Sequence, residues 1–250
     1  MPCSTPASLR GNTGDPKLKQ ATPSPVYLLA GGPGSWRRGD SLLNQVLESC
    51  RHPNPSIAYI GAASSDNPGF FSMISEHMRD CGAGPITLVP LAGRRFNSGK
   101  AKTILESADM VFISGGDVEA GMQVMEKRNI LPFLRQLRVS GKPFFGLSAG
   151  SIMLARQWVC WDDPTDDSTA RVFPCMGFAP LLVDTHGEEE LWKELQVLLR
   201  LTPEGTLGYG IPTGAGLRVG PDETVEAVGN PVHRYTRHNN HVLRLADLIP

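Results

Sequence analysis

A serine between two glycines lies in the middle of the sequence and could act as a nucleophile. The run from Phe144 to Ser151 reads FFGLSAGS and contains the pattern Gly-x-Ser-x-Gly around Ser148. Glycines on both sides suit a sharp turn from strand to helix that presents the serine hydroxyl. The first amides of the following helix would stabilise negative charge beside it. Because the chain has 27 glycines, the pattern also arises by chance, and its surroundings must decide the interpretation.

A serine hydroxyl needs a base to remove its proton, and His186 is the histidine best placed for that role. It follows the apolar run 181–183 and precedes the amphipathic stretch 188–201, so it lies where a predicted strand ends and a predicted helix begins. Ser148 is expected at the same edge of the sheet. The other five histidines lie on loops, on a helix surface or in a polar C-terminal stretch with no strong metal-ligand spacing: His52, His77, His233, His238 and His241. No metal site is predicted.

The carboxylate that would orient this histidine is expected in the acidic loop 161–168, WDDPTDDS. Asp163 is the first choice, followed by Asp162 and then Asp166. A solvated acidic turn explains the same composition. Asp184 is a further candidate, although it could equally cap the next helix.

A pair of glycines ends an earlier strand in the segment Ser114-Gly115-Gly116-Asp117. Adjacent glycines at the carboxyl end of a strand leave backbone N–H groups accessible, which is what an oxyanion hole requires. The alternative is a simple tight turn with Asp117 as the cap of the following helix.

Short apolar runs alternate with helical patterns along the chain, which predicts a mainly parallel sheet covered by helices on both faces. Ligands bind such sheets at the carboxyl ends of the strands. Short apolar segments after residue 206 predict antiparallel strands at one edge. The first five strands are predicted at 26–30, 56–61, 86–89, 110–113 and 143–147. Residues 1–25 are rich in Pro, Ser, Thr, Gly and Lys and are expected to form a flexible tail, with a single α/β domain over 26–250.

Composition excludes several classes of partner. A net charge of -1 gives no general attraction to nucleic acid or to an anionic membrane. No apolar run approaches the roughly 20 residues that a membrane span needs, and the polar N-terminus favours a cytoplasmic protein. The odd number of cysteines, five, without Cys-x-x-Cys spacing favours reduced thiols. A homodimer is expected only because compact hydrolases often form one, since no stretch identifies an interface.

Three motifs occur in order: FISGGD at 112–117, GLSAGS at 146–151 and LVDTH at 182–186. Together they resemble the serine peptidase family of dipeptidase E and cyanophycinase. The 38 residues between Ser148 and His186 are too few for the order of elements in an α/β-hydrolase, which also favours this family. The resemblance implies a flavodoxin-like three-layer sandwich similar to class I glutamine amidotransferases, with Ser148 as nucleophile, His186 as base and Asp163 as third member. It implies an oxyanion hole from the amides of Gly116 and Ala149, and no cofactor.

Two departures from the family pattern affect the predicted specificity. The family has basic residues after the histidine, whereas this chain has the acidic stretch Gly187-Glu188-Glu189-Glu190. Thr213 stands where a family segment usually has an acidic residue. We therefore expect Asp117, Glu188 and Glu189 to contact the substrate, with the glutamates favouring a basic or free amino group. A solvated helix N-terminus explains the glutamates equally well.

Three functions follow from these observations. The first is a serine hydrolase that cleaves small peptides through an acyl-enzyme. The second is an inactive member of the same fold that binds a small molecule or a protein, and the third is an amidotransferase-like subunit. Those subunits carry a cysteine at the elbow, whereas this chain has Ser148.

Overall fold

The computed structural model describes residues 24–31 and 41–250. Of the predicted flexible tail, residues 1–25, only Ser24 and Pro25 lie within the described residues. These residues form thirteen strands and seven α-helices. The strands are β1 Val26–Leu29, β2 Ile57–Ile60, β3 Ile86–Val89, β4 Met110–Ile113, β5 Phe144–Leu147, β6 Gln157–Trp161, β7 Ala170–Pro174, β8 Leu182–Thr185, β9 Leu207–Ile211, β10 Ala215–Val219, β11 Val225–Gly229, β12 His233–His238 and β13 His241–Arg244. The helices are α1 Ser41–Glu48, α2 Pro68–Asp80, α3 Ser98–Ser107, α4 Val118–Lys127, α5 Leu131–Val139, α6 Ala149–Leu154 and α7 Lys193–Arg200.

Seven strands form a central sheet in the order β11-β10-β1-β5-β4-β2-β3. The five strands from β1 to β3 in this order pair in parallel, and β10 and β11 add antiparallel pairs at one edge. The parallel strands are short apolar runs because both of their faces are covered. The sequence prediction of a mainly parallel sheet with antiparallel edge strands is confirmed.

Alternate residues of these strands pack on opposite faces of the sheet, as strand geometry requires. Leu28, Ile60 and Ile113 face a cluster that includes apolar side chains of α3, α4, α5 and α6. Tyr59 and Phe112 face the other cluster, with α1 and α2. The arrangement is the expected three-layer sandwich. None of the described helices combines the length and the apolar character needed to cross a bilayer.

A second sheet, which the sequence analysis did not predict as a separate unit, has the order β13-β12-β9-β8-β6-β7. Helix α7 packs against it through Leu195 and Leu198, which cluster with Val159, Leu182 and Tyr235. Two of its strands are rich in polar residues, since β12 reads HRYTRH and β13 reads HVLR. A strand of that composition is easily taken for a loop.

The helix that was predicted from Glu188 begins only at Lys193. Leu191 and Trp192 have left-handed backbones, with φ of 53° and 61°, so residues 188–192 form turns. Leu191 is 74% exposed, although a helix over 188–201 would place it on one apolar face with Leu195 and Leu198. The buried Trp192 lies against the backbone of Gly187 and Gly210, where the ring fills the space that a side chain would need.

The start of α6 lies directly on the end of β4. A Cβ atom at Gly150 would lie 2.0 Å from the carbonyl oxygen of Ile113, and one at Gly146 would lie 2.5 Å from the backbone of Gly150. These approaches are possible only for glycine. They fix the turn between β5 and α6 against the neighbouring strand.

We expect Gly150→Ala to lower the free energy of unfolding by about 2–3 kcal/mol, because a methyl group at this position overlaps rigid main chain. Chemical denaturation of the full chain measures the change. Gly93→Ala is the control, since a Cβ there meets no atom within 4 Å. Equal stability of the two variants would show that the turn can move away from β4.

Candidate active site

Ser148 occupies the turn between β5 and α6 in a strained backbone conformation. Its φ of 54° and ψ of -125° are rare for a residue with a side chain, and such strain is typical of functional sites. The turn is tied to β1, because the Ser148 N–H donates to the carbonyl of Leu29 at 2.9 Å. The buried Ser151 hydroxyl exchanges hydrogen bonds with the Leu29 main chain at 2.7 and 2.8 Å.

The Ser148 and His186 side chains line one pocket of about 350 Å³ at the carboxyl ends of the strands. Its other lining residues come from the loop after β4 and the start of α4, from α6, from β6, from the end of β8 and from the segment around the start of α7: Gly116, Asp117, Val118, Ala149, Ile152, Trp158, Asp184, Thr185, Gly187, Glu190 and Glu194. The described residues contain no direct hydrogen bond between Ser148 and His186. Such bonds are often long in the absence of substrate and tighten when it binds.

His186 is held from two sides by backbone and hydroxyl groups. The N–H of Gly31 donates to Nε2 at 3.3 Å, and Nδ1 lies 3.0 Å from the hydroxyl of Thr213. Burial lowers the pKa of His186 below its usual value, and the charge of Glu188 opposes that shift. The ring is therefore neutral near pH 7, as a base must be.

Asp163 does not lie beside His186, which corrects the predicted third member. Its carboxylate is exposed and accepts from the hydroxyl and N–H of Thr165, at 2.7 and 2.9 Å. The alternatives are also engaged locally, because Asp162 pairs with Arg171 at 3.3 Å and Asp166 accepts from Ser168. The acidic loop joins the antiparallel strands β6 and β7. It is the solvated turn that composition also allowed.

The amides of Gly116 and Ala149 both belong to residues that line the pocket. Neither N–H donates to another residue in the described part of the chain. Gly116 has a φ of 139°, and a Cβ there would lie 2.2 Å from the carbonyl of Ala63, so the position requires glycine. Two unused amides beside a serine are what an oxyanion hole requires.

The three predicted substrate contacts have different positions. Asp117 lines the pocket, and its carboxylate also caps α4 by accepting from the Ala120 N–H at 2.8 Å. Glu188 does not line the pocket; its Oε1 accepts from the Thr213 N–H at 2.7 Å. Glu189 is exposed and is also absent from the pocket lining. Glu190, which is also exposed, and Glu194 line the pocket instead.

Three carboxylates that the sequence analysis did not assign to substrate line the pocket: Asp184, Glu190 and Glu194. Asp184 is 6% exposed, and burial, then the charge of Glu194, raises its pKa to about 7. Burial also raises the pKa of Glu194, which accepts from the Trp158 indole N–H at 2.8 Å. None of the three forms an ion pair with a described lysine, arginine or histidine. The run of acidic residues is evident in the sequence, but the sequence does not indicate which of these carboxylates line the pocket.

The C-terminal histidines serve the second sheet. Nδ1 of His233 lies 3.0 Å from Asp247, which also pairs with Arg244, and His238 lies 3.2 Å from Glu204. In the described part of the chain no three His, Cys, Asp or Glu side chains are grouped as metal ligands.

Comparisons with known proteins identify the family and the fold of this chain. Peptidase family S51 matches residues 27–227. Peptidase E of Pasteurella multocida (strain Pm70) is 27% identical over 129 residues, which are 48% of this chain and 54% of that protein. The pyridoxal 5′-phosphate synthase subunit PdxT of Geobacillus sp. (strain WCH70) is 30% identical over 99 residues, 38% of this chain and 46% of that protein. The chain thus spans about half the length of these curated relatives.

A solved structure of a peptidase from an acI-B1 actinobacterium has the same fold over most of its length. The TM-score is 0.70 at 14% sequence identity, with 92% of this chain and 98% of that chain covered. At this identity the likeness establishes the fold alone.

We expect His186 to titrate below pH 6.5 in the folded protein, because burial disfavours the imidazolium. Two-dimensional NMR of ¹⁵N-histidine-labelled protein measures the transition, with the signal assigned by its loss in His186→Gln. In urea the same protein should titrate near the usual value of about 6.5. A folded-state pKa at or above the denatured value would contradict the stated balance of burial and charge.

Proposed function

The chain belongs to peptidase family S51, and on that premise we propose that it is a serine hydrolase that cleaves amide bonds in small peptides. The observation that carries the proposal is the strained Ser148 elbow facing the same pocket as His186. A serine at such a turn is chemically useful only if a base and an oxyanion site lie within its reach. Both are available in this pocket.

The reaction proceeds in two halves. Ser148 Oγ attacks the peptide carbonyl while Nε2 of His186 takes its proton, and the amides of Gly116 and Ala149 bind the developing oxyanion. The tetrahedral intermediate collapses as His186 returns the proton to the leaving amine, which forms the acyl-enzyme. Water then attacks the ester with His186 again as base, and the acid and free Ser148 are released. No cofactor enters these steps.

A binding protein without activity is the main rival. It is motivated by the altered segments around Glu188 and Thr213, which differ from the family pattern. The strained conformation of Ser148 opposes it, because strain of this kind needs structural compensation and serves catalysis. A synthase subunit like PdxT is the second rival, and the serine at the elbow opposes it.

Cleavage of short peptides by the purified chain, read by mass spectrometry, tests the function. We expect Ser148→Ala to abolish turnover while leaving the melting temperature nearly unchanged, because the variant loses only the nucleophilic oxygen. Asp163→Asn should retain the wild-type rate within about two-fold, since that side chain lies outside the pocket. Turnover by Ser148→Ala would refute the assignment, and loss of activity in Asp163→Asn would restore the original third member.

The pocket also supports a substrate class. Four carboxylates line it without a described cationic partner, those of Asp117, Asp184, Glu190 and Glu194. A positively charged group on the peptide, either a free N-terminus or a basic side chain, would compensate their charge. The indole of Trp158 lines the same pocket and adds an aromatic surface, which cations favour. Glu188 and Glu189, the earlier candidates for this role, lie outside it.

We expect Asp184→Asn to raise KM for cationic peptides by roughly ten-fold or more. The same variant should melt at a higher temperature than wild type at pH 8, where the buried wild-type carboxylate is ionised. At pH 5 the difference should be smaller, because the Asp184 carboxyl, with a pKa of about 7, is then protonated in the folded protein. It should vanish only below pH 3.8, the ordinary pKa, where the unfolded chain is protonated as well. Peptides with an acetylated N-terminus, or with norleucine in place of lysine, identify which cation binds.

Unchanged KM for every cationic peptide would contradict the substrate class. An unchanged melting temperature at pH 8 would show instead that ionisation of the buried Asp184 does not destabilise the folded protein.

A further inference from the structure

The ring nitrogen of His186 that faces away from the Ser148 reaction contacts a hydroxyl and not a carboxylate. Nδ1 lies 3.0 Å from Thr213 Oγ1, and no Asp or Glu in the described chain hydrogen-bonds to either ring nitrogen. A serine peptidase normally needs a group at this position to fix the tautomer and to stabilise the imidazolium. The neutral Thr213 hydroxyl can fix the tautomer, but it carries no charge that would stabilise the imidazolium.

The tautomer follows from the two hydrogen bonds together. The Gly31 N–H can only donate, so Nε2 must accept and carries no proton in this arrangement. The ring proton therefore lies on Nδ1 and is donated to Thr213 Oγ1. In this tautomer Nε2 is the basic nitrogen, and its lone pair must exchange the Gly31 N–H for the Ser148 hydroxyl before it can take the serine proton. The exposed Thr213 hydroxyl can direct its own hydrogen to solvent.

A negative charge that could stabilise the His186 imidazolium lies on Glu188, which contacts Thr213 and not the ring itself. Oε1 of Glu188 accepts from the Thr213 N–H at 2.7 Å, which ties the carboxylate to the loop that carries the hydroxyl. The His186 N–H donates to the Ile211 carbonyl at 3.3 Å, so the loops after β8 and β9 are joined at three points. Among the described residues, Glu188 is the carboxylate whose charge raises the His186 pKa against the effect of burial. The other acids of the pocket, from α4, β8, the 188–192 turns and α7, are Asp117, Asp184, Glu190 and Glu194.

We propose that Thr213 and Glu188 are positioning residues that divide the work of an orienting carboxylate, Thr213 holding the Nδ1–H tautomer of His186 and Glu188 supplying the negative charge. This inference rests on the proposed function for its catalytic meaning. When His186 takes the serine proton, both ring nitrogens carry hydrogen, the Nδ1–H bond to Thr213 persists, and the Glu188 charge stabilises the cation. When the proton passes to the leaving amine, the ring returns to the neutral tautomer.

The first test needs no substrate. ¹⁵N NMR of histidine-labelled full chain, in the Ser148→Ala background, reports both the tautomer and the pKa of His186. Glu188→Gln keeps an oxygen that can accept from the Thr213 N–H and removes only the charge. We expect it to lower the His186 pKa by roughly half a unit while the Nδ1–H tautomer is retained. Thr213→Val removes the hydroxyl at nearly constant volume and leaves only the long Gly31 contact, at 3.3 Å, to favour the Nδ1–H tautomer. We expect the Nε2–H tautomer to become populated in this variant, whereas Thr213→Ser should restore the wild-type spectrum.

The second test uses a peptide that the wild type cleaves. We expect Thr213→Val to lower kcat by roughly 10- to 100-fold with little change in KM, and Thr213→Ser to recover most of it. Glu188→Gln should lower kcat a few-fold and move the acid limb of the kcat/KM profile to lower pH. Melting temperatures of all variants confirm that they are folded.

The outcomes separate this inference from the proposed function. A wild-type tautomer in Thr213→Val, or an unchanged His186 pKa in Glu188→Gln, overturns the division of roles even if peptides are cleaved. If Thr213→Val does not fold, Glu188→Gln and Thr213→Ser still decide, because both keep the hydrogen bonds. Absence of any peptide cleavage would count against the proposed function and leave the NMR result to stand by itself.

Discussion

The contact of the α6 main chain with the end of β4 is the constraint on which the site depends. It exists because Gly150 has no side chain to hold it away from the Ile113 carbonyl. The contact brings the Ser148 turn against the loop that ends in Gly116, so that the Ala149 and Gly116 amides face one pocket. The Ser151 hydroxyl ties the same turn to β1 through its two hydrogen bonds with the Leu29 main chain. A side chain at Gly146 or Gly150 would therefore displace the turn that carries Ser148 from the end of β4.

Burial in the pocket shifts the pKa values of His186 and Asp184 in opposite directions. Burial favours the neutral form of every titratable group, which lowers the pKa of His186 and raises that of Asp184. For the histidine this is useful, because a base must be unprotonated near neutral pH. For Asp184 it is a cost to stability that grows as pH rises, and nothing in the described chain offsets it with a positive charge. A ligand that brings the charge would remove the penalty, so stability and substrate preference are linked through one side chain.

The sequence allowed prediction of the parts of this molecule that are set locally. Strand, glycine turn and helix around Ser148 are specified by neighbouring residues, and Gly116 and His186 each follow a short apolar run. The sequence placed Ser148 and His186 at the edge of one sheet, whereas β8 belongs to the second sheet and the two residues meet across a shared pocket. The segment 188–192 was mispredicted because its amphipathic spacing suits a helix, yet Trp192 packs on Gly187 and Gly210 and forces two left-handed residues before α7 begins. That packing decided which glutamates face the pocket, and helical periodicity carries no information about it.

The third partner of His186 illustrates what a linear search misses. Looking between serine and histidine leads to Asp163, but the acidic loop joins a hairpin that turns toward solvent. Thr213 lies 27 residues beyond the histidine, and the strand register brings them together. In the parallel pair of β8 and β9, Thr185 lies opposite Ile211, so the residues just past both strand ends must meet. Had the pairing of these two short strands been predicted, the loop at 212–214 would have been the place to search, whatever residue type stood there. Register is therefore the information that converts a list of polar residues into a site.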